Sequence, residues 1–210
     1  MATVALLGTL DTKGEEYAWL LDRLHGLGVA TLAIDTGSFS TSELADVSSE
    51  AVITAAGVDV AAVRERRDRG EMMGVMGAGA AVVVRELAES GRIHGLLAIG
   101  GSGGSSVAAP AMQALPVGFP KLLVSTMASG DVKPYVGEVD TTLMYSVVDV
   151  AGINSISARV LGNACAGIAG MAQAYEEQLA APQGEHKPLI GVTMFGVTTP
   201  AANEARETLT

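Results

Sequence analysis

Short apolar runs alternate with helical patterns along this chain. Thr3 to Gly8 is a β-rich run, and Gly14 to Leu27 then places apolar side chains at helical spacing, a pattern that Gly28 ends. Val29 to Asp35 is a second apolar run. Strands that alternate with helices in this way indicate β-α-β units with a parallel sheet.

The same alternation continues beyond residue 70, after a less regular region with Ser- and Thr-rich segments. Further strands are predicted at Ile93 to Gly100, Lys121 to Thr126 and Leu143 to Val148, and further helices at Glu71 to Ser90, Ser105 to Leu115 and Asn154 to Leu179. Aromatic residues make up only 4% of the chain, and Ala, Gly and Val are abundant. This composition favours an α/β fold, in which closely packed helices cover a parallel sheet.

The C-terminal end repeats the pattern with which the chain begins. Leu189 to Phe195 is predicted as a strand, Gly196 to Pro200 as a Thr-bearing loop and Ala201 to Leu209 as the start of a helix. The segment before them is a linker by composition. We therefore predict an α/β subdomain, a linker and the truncated start of a second α/β subdomain, at residues 1–180, 181–188 and 189–210.

Charge and composition exclude several classes of function. The formal net charge of −10 leaves no basic stripe for the phosphates of a nucleic acid. The single cysteine, Cys165, fits a reducing cytoplasm. The N-terminus has no basic leader, and the uncharged stretch from Met72 to Val84 is shorter than the roughly 20 residues of a membrane helix. We expect a cytoplasmic protein that binds neither nucleic acid nor membrane.

The most informative segment is the glycine- and serine-rich stretch Gly100 to Ser106, which follows a buried-strand pattern and precedes a helical one. At such a junction several backbone N–H groups point outward at the positive end of a helix dipole, where they bind a phosphate or a carboxylate. The alternative is a tight turn whose small residues let the helix pack on the sheet. The segment lacks a Walker lysine and a clear third glycine of the dinucleotide-binding motif.

In parallel α/β sheets, ligands bind outside the carboxyl ends of the strands. Four loops meet that condition: Gly8 to Gly14, Asp35 to Ser38, Gly100 to Ser106 and Ser125 to Lys133. They offer N–H and hydroxyl donors, a cation, and carboxylates for ribose or Mg²⁺. The candidate ligand-binding residues are Gly8, Thr9, Asp11, Thr12, Lys13, Asp35, Gly100, Gly101, Ser102, Gly103, Gly104, Ser105, Ser106, Thr126, Met127, Ala128, Ser129, Gly130 and Asp131. For Asp11 and Thr12 the alternative is helix capping, and for Lys13 and Lys133 an exposed lysine.

Two features of the middle region remain open to alternatives. The charged run Arg64 to Gly70 is typical of a solvated helix face, and an anion-binding surface is the minor alternative. The helix that follows contains Gly74, Gly77 and Gly79, each of which costs about 1 kcal/mol relative to alanine. Such glycines indicate close approach to another backbone or to a bound group.

Nucleophilic and metal chemistry find little support in the chain. His25 lies at the end of a predicted helix, His186 in the linker and His94 at the start of a strand, away from the carboxyl edge of the sheet. No cluster of Cys and His has the spacing of a metal site. We assign no catalytic residue and no metal ligand from the sequence, and leave open whether the protein is an enzyme.

Several of these segments together resemble the N-terminal ATP-binding domain family of the tomato mosaic virus resistance protein and its uncharacterised bacterial and fungal relatives. The resemblance lies in Gly8 to Glu16, Ile99 to Ser106, Lys121 to Asp131, Pro134 to Gly137, Met144 to Asp149 and Gly191 to Pro200. It implies Rossmann-like three-layer subdomains, ATP bound by loops of the first subdomain, and dimerisation. Family members are roughly twice this length. The plant member of the family also has a C-terminal barrel resembling phosphoenolpyruvate-utilising enzymes, so the resemblance implies a separate barrel protein of that kind as a candidate partner of the shorter relatives.

Three readings follow. The first is an ATP-binding module, with Mg²⁺ as a candidate companion ion. The second is an enzyme that acts on ATP or a phosphorylated metabolite, with Asp11, Asp131 or Lys133 in phosphoryl chemistry. The third is a homodimeric interaction scaffold built on the small-residue helix Asn154 to Leu179.

Overall fold

A five-stranded parallel sheet forms the centre of the computed structural model, which describes residues 1–39, 42–181 and 190–209. Its strands are β1 (Thr3–Gly8), β2 (Ala30–Asp35), β3 (Gly95–Gly100), β4 (Lys121–Ser125) and β5 (Thr142–Tyr145). They lie in the order β2-β1-β3-β4-β5, and all pairs are parallel. The predicted Rossmann-like α/β class is therefore confirmed. The strand order reverses direction between β1 and β3, which makes the crevice between them the topological switch point.

Helices cover both faces of the sheet. In chain order, the helices of the unit that holds the sheet are α1 (Gly14–His25), α2 (Ser49–Ala55), α3 (Val60–Arg66), α4 (Arg69–Glu89), α5 (Ser102–Gln113), α6 (Lys133–Val136) and α7 (Ser157–Ala180). A further helix, α8 (Thr199–Leu209), belongs to the C-terminal unit. Short 3₁₀ turns occupy Thr126–Ser129 and Gly196–Thr198. Within the described residues, no helix combines the length and the apolar character that crossing a bilayer requires.

Alternate residues of each strand enter different cores. Val4 and Leu6 of β1 pack with α1 and α7 on one face. Ala5 and Leu7 pack with α2, α4 and α5 on the other. The central strands β1, β3 and β4 are buried almost throughout because helices cover both faces of the sheet at its centre.

Glycines of α4 allow two close approaches. A Cβ on Gly79 would lie 1.9 Å from the carbonyl oxygen of Val52 in α2, and a Cβ on Gly77 would lie 3.2 Å from Cγ of Pro110 in α5. The expectation of close approach is confirmed at these two positions. At Gly74 no other part of the protein comes close, since a Cβ there would meet nothing within 4 Å.

The irregular region before α4 holds two short helices that the hydrophobic pattern did not predict. Side chains start both of them, since Ser48 accepts a hydrogen bond from the amide of Ala51, and Asp59 accepts one from Ala62. The charged run Arg64 to Gly70 is not one solvated helix face. It spans the end of α3, the left-handed residue Arg67 and the start of α4.

Three other boundaries differ from the predicted ones by three residues. Helix α5 begins at Ser102, three residues before the predicted start, so most of the glycine- and serine-rich segment is its first turn rather than a loop. Strand β5 ends at Tyr145, before the predicted Val148. Helix α7 begins at Ser157 because Asn154 Oδ1 accepts hydrogen bonds from the amides at the helix start.

The chain divides into two compact units, Met1–Ala180 and Ala181–Thr210. In the second unit, the strand predicted at Leu189 to Phe195 is wrong over its described part, because residues 190–195 form no strand. A single strand has no stability without a neighbour to pair with. Helix α8 begins at Thr199, two residues before the predicted start. Residues 182–188 of the predicted linker lie outside the described residues, as does Leu189.

Candidate functional site

A cleft of about 510 Å³ opens at the carboxyl edge of the sheet, at the switch point between β1 and β3. Its volume lies in the range of small-molecule sites. Its walls come from the loops after β1, β2, β3 and β5 and from the first turns of α4 and α5. The lining residues are Thr9, Asp11, Thr12, Lys13, Thr36, Ser38, Phe39, Arg69, Met73, Gly101, Ser102, Gly103, Gly104, Val107 and Asp149.

The N-terminus of α5 forms one wall of this cleft. Its N-cap is Gly101, which has no side chain to accept a hydrogen bond from the first helical amides. The first amide of α5 with an intrahelical partner is that of Ser105, which donates to the carbonyl of Gly101 at 2.9 Å. The amides of Ser102, Gly103 and Gly104 therefore lie at the positive end of the helix dipole beside an open cleft.

The loop after β1 forms a second wall. In its backbone, the amide of Lys13 donates a hydrogen bond to the carbonyl oxygen of Thr9 at 3.0 Å. Between its side chains, the Thr12 hydroxyl donates to Thr9 Oγ1 at 3.0 Å. Helix capping is wrong for Asp11 and Thr12, because the N-cap of α1 is Lys13 and no side chain caps it. The Asp11 carboxylate lines the cleft instead.

Helix α1 holds the loop that carries Asp149. Lys13 Nζ donates a hydrogen bond to the carbonyl oxygen of Val150, and the buried Glu16 accepts one from the amide of Gly152 at 2.6 Å through Oε1. These two contacts tie residues near the end of β5 to the start of α1. They place the exposed Asp149 carboxylate on the same cleft as Asp11.

Asp35, at the end of β2, joins two of the cleft loops from beneath. Its Oδ1 accepts hydrogen bonds from the amide of Leu10 at 3.1 Å and from the amide of Gly37 at 2.7 Å. The side chain is fully buried, and Oδ2 has no hydrogen-bond partner among the described residues. Burial raises the pKa of Asp35, the two amide hydrogen bonds oppose that shift, and the nearby Asp11 carboxylate adds to it.

The Tyr17 hydroxyl lies where β1 and β3 separate. The last paired residues of the two strands are Leu7 and Ala98. Just beyond them, the hydroxyl donates to Leu7 O at 2.5 Å and accepts from the Ile99 amide at 3.2 Å. Burial raises the pKa of Tyr17 well above its usual value. The side chain thus satisfies the backbone groups at the bottom of the switch-point crevice, a role that the helical pattern of α1 did not indicate.

Comparison with known proteins identifies the family. Residues 2–177 match the N-terminal domain of the Uncharacterised protein family (UPF0261). The chain belongs to the UPF0261 family. It is 45% identical over 207 residues to a UPF0261 protein of Clostridium tetani, which covers 98% of this chain and 50% of that protein.

Two further relatives show the range of the family. A UPF0261 protein of Rhizobium meliloti is 40% identical over 209 residues, which is 100% of this chain and 50% of that protein. The ToMV resistance protein Tm-1 of Solanum lycopersicum is 34% identical over 227 residues, which is 98% of this chain and 30% of that protein. The chain thus spans about half the length of the bacterial relatives, and the resemblance found in its motifs is confirmed.

This UPF0261 domain brings eight of the candidate ligand-binding residues together on the cleft. They are Thr9, Asp11, Thr12, Lys13, Gly101, Ser102, Gly103 and Gly104. The other candidates lie outside the cleft lining: Gly8, Asp35, Gly100, Ser105, Ser106, Thr126, Met127, Ala128, Ser129, Gly130 and Asp131.

Local contacts explain why the serines of α5 beyond its first turn lie outside the lining. Ser105 is fully buried, and its hydroxyl is 2.6 Å from the Ser125 hydroxyl at the end of β4. The Ser106 hydroxyl donates to the carbonyl of Ser102 at 2.9 Å. Both hydroxyls stabilise the helix and its packing on the sheet.

Arg69, Met73, Phe39 and Asp149 line the cleft but were not among the candidate residues. Arg69 lies in the charged run Arg64 to Gly70, for which an anion-binding surface was the minor alternative interpretation. Asp149 stood at the end of a segment that resembles the family. Nothing in the local pattern placed Met73 or Phe39 near the glycine-rich segment, because they reach it through the packing of α4 and the loop after β2.

We expect the free energy of unfolding of Asp35→Asn, relative to that of the wild type, to increase as the pH rises. The pKa of Asp35 is higher in the folded protein than in the unfolded chain. The contribution of its carboxyl to stability is therefore fully present below the pKa in the unfolded chain, and it is lost as the pH rises through the pKa in the folded protein. Asparagine keeps an acceptor for the amides of Leu10 and Gly37 but does not ionise. Urea unfolding of both proteins between pH 4 and pH 8 measures the difference, which should shift towards the variant with increasing pH. A difference that does not vary with pH would contradict this account.

Proposed function

We propose that this UPF0261 domain binds a nucleoside phosphate, ATP with Mg²⁺, in the cleft at the β1/β3 switch point. The observation that carries the proposal is the N-terminus of α5, where Gly101 leaves the amides of Ser102, Gly103 and Gly104 uncapped beside the cleft. Three such amides and the helix dipole together form a site for a phosphate group. The resemblance of the Ile99 to Ser106 segment to an ATP-binding family supports the same assignment.

The rest of the lining supplies the other groups that a nucleotide needs. Thr9 and Thr12 offer hydroxyls, and the tethered Lys13 brings a positive charge to the cleft. Asp11 and Asp149 offer carboxylates, the ligands that Mg²⁺ and ribose hydroxyls prefer. The cleft therefore carries hydrogen-bond donors for the phosphates of a nucleotide and carboxylates for its Mg²⁺ and ribose.

A valine at position 103 tests the proposal. A Cβ on Gly103 would meet only Met73 Cε, at 3.9 Å, so the helix accepts the substitution while the side chain fills the space beside the amides. For the wild type, ATP with Mg²⁺ at 100 times its dissociation constant should raise the melting temperature by about 5 °C or more. Gly103→Val should lose this shift, as measured by differential scanning fluorimetry.

Gly74→Val is the matched control, because Gly74 is an exposed residue of α4 outside the cleft lining, with nothing within 4 Å of its Cβ position. This variant should keep the full ATP-induced shift. An ATP shift in Gly103→Val equal to that in the control would remove the phosphate assignment from α5.

Phosphoryl transfer from ATP is a second candidate function. It is favoured by Asp11, whose carboxylate lines the cleft and does not cap α1. Asp131 and Lys133 lie outside the lining, where Asp131 Oδ1 accepts a hydrogen bond from the Lys133 amide. ADP formation that disappears in Asp11→Asn would distinguish this activity from binding alone.

The remaining parts of the proposal concern partners and location. We infer a homodimer in the cytoplasm, with a barrel protein resembling phosphoenolpyruvate-utilising enzymes as a candidate partner. The family resemblance supports the dimer, and the exposed Ala166 and Gly167 of α7 provide small residues for a close helix contact. Light scattering that shows a monomer at micromolar concentration would contradict the dimer.

A further inference from the structure

We propose that Arg69 binds the distal phosphates of the nucleotide, so that the cleft selects nucleoside di- and triphosphates over monophosphates. This inference rests on the proposed function and adds to it which part of the ligand Arg69 recognises, namely the distal phosphates.

The packing of α4 on α5 determines where Arg69 lies. A Cβ on Gly103 of α5 would lie 3.9 Å from Met73 of α4, and a Cβ on Gly77 of α4 would lie 3.2 Å from Pro110 of α5. Contacts therefore advance along both helices in the same direction. The two helices are side by side and parallel, and both begin at the carboxyl edge of the sheet.

Arg69 is the first residue of α4. It lies four residues before Met73, on the same face of the helix and about 6 Å nearer its N-terminus. The Cε atom of Met73 is the nearest neighbour of a Cβ placed on Gly103, in the first turn of α5. Arg69 therefore lies beside the N-terminus of α5 and lines the same cleft as Gly103 and Gly104. Within this cleft, a phosphate chain that starts at the α5 amides can extend to Arg69.

Arg69 is also available to a ligand. The neighbouring arginines are engaged: Arg64 pairs with Glu50 at 3.0 Å, and Arg66 pairs with Glu71 at 2.7 Å. The exposed Arg69 has neither a hydrogen bond nor an ion pair within the part of the chain that the structure describes, although it lines the cleft.

Charge balance explains why the additional phosphates need this residue. Two carboxylates, Asp11 and Asp149, face the same space as the cations of Lys13 and Arg69. The α5 amides stabilise one phosphate, but each further phosphate adds negative charge near those carboxylates. A guanidinium binds phosphate oxygens through two parallel hydrogen bonds, so Arg69 offsets this charge together with the Mg²⁺ that the carboxylates would hold.

Titration calorimetry with AMP, ADP and ATP, each in the presence of Mg²⁺, tests the inference. The wild type should bind ADP and ATP more tightly than AMP. Arg69→Ala should weaken ATP binding by about 10- to 100-fold, the range for hydrogen bonds to charged groups, and AMP binding by less than about threefold. Arg69→Lys should retain part of the ATP affinity, because it keeps the charge and loses the paired hydrogen bonds.

Arg85→Ala is the matched control. Arg85 is an exposed arginine of the same helix, sixteen residues from Arg69 and so about 24 Å away along the axis. It should leave the affinities for all three nucleotides unchanged. Unchanged melting temperatures of the ligand-free variants should confirm that each is folded.

The outcomes separate the two proposals. If the wild type binds none of the three nucleotides, the proposed function and this inference both fail. The wild type could instead bind the nucleotides while Arg69→Ala weakens the affinities for AMP, ADP and ATP equally or not at all. The nucleotide site then stands, and the proposal that Arg69 selects di- and triphosphates is overturned.

Discussion

Replacing Gly79 by alanine should lower the free energy of unfolding by about 3 kcal/mol, at the upper end of the usual cost of overpacking. The new Cβ would lie 1.9 Å from the carbonyl oxygen of Val52 and 2.8 Å from its carbonyl carbon. Backbone atoms cannot rotate away as a flexible side chain does, so α2 must move off α4. That movement exposes the buried side chains of Val52 and Ile53.

Gly74→Ala is the control for this prediction, since it makes the same substitution in the same helix. A Cβ on Gly74 would meet nothing within 4 Å, so only helix propensity changes, and stability should rise by about 1 kcal/mol. Urea unfolding monitored by circular dichroism measures both variants. Equal effects of the two substitutions would mean that α2 and α4 do not pack as closely as the structure shows.

Gly8→Ala should lower the free energy of unfolding by about 3 kcal/mol and weaken ligand binding as well. The added Cβ would lie 1.9 Å from the hydroxyl oxygen of Tyr17 and 2.1 Å from its Cζ. The ring is fully buried and must withdraw from the junction of β1 and β3. The carbonyl of Leu7 and the amide of Ile99 then lose their hydroxyl partner, which adds about 1 kcal/mol for each buried hydrogen bond.

Gly101→Ala is the comparison at the end of the adjacent strand, where a Cβ would lie 3.6 Å from Thr126 Oγ1, an ordinary contact. It should cost at most about 1 kcal/mol, the usual effect of alanine at an N-cap. Denaturant unfolding of the two variants gives the stabilities, and the ATP-induced melting shift of Gly8→Ala reports on the cleft. If Gly8→Ala were as stable as Gly101→Ala, Tyr17 would not be needed at the junction.

The site could be predicted in part because strand ends and helix starts leave local marks. The glycine- and serine-rich segment after β3 and the Thr-bearing loop after β1 both line the cleft. The loop after β4, with Thr126 to Asp131, does not, although it ends a neighbouring strand. Its first residues form a 3₁₀ turn whose start is held by the Ser125 hydroxyl, which accepts a hydrogen bond from Met127 N at 3.0 Å.

Asp35 stands at the strand end where it was predicted, but its side chain lies below the loops and not on the cleft lining. Its place at the end of β2 made it a candidate for direct ligand contact. In the structure it is buried below the loops, where it holds the amides of Leu10 and Gly37. Whether a carboxylate at a strand end faces the ligand or supports the loops depends on how the next loop folds back, and that is decided by contacts distant in the chain.

The order of residues alone determined the five strands of the sheet and the helices α1, α4, α5 and α7, and hence the α/β class, because the spacing of apolar side chains reflects the layers that each segment must face. Only the tertiary structure decided that β1 and β3 lie side by side at the switch point, that α4 runs parallel to α5, and that Arg69 and Asp149 reach the same cleft as Gly103. These arrangements depend on packing between residues far apart in sequence, such as Gly79 against Val52 and Lys13 against Val150, and no local pattern encodes such pairs.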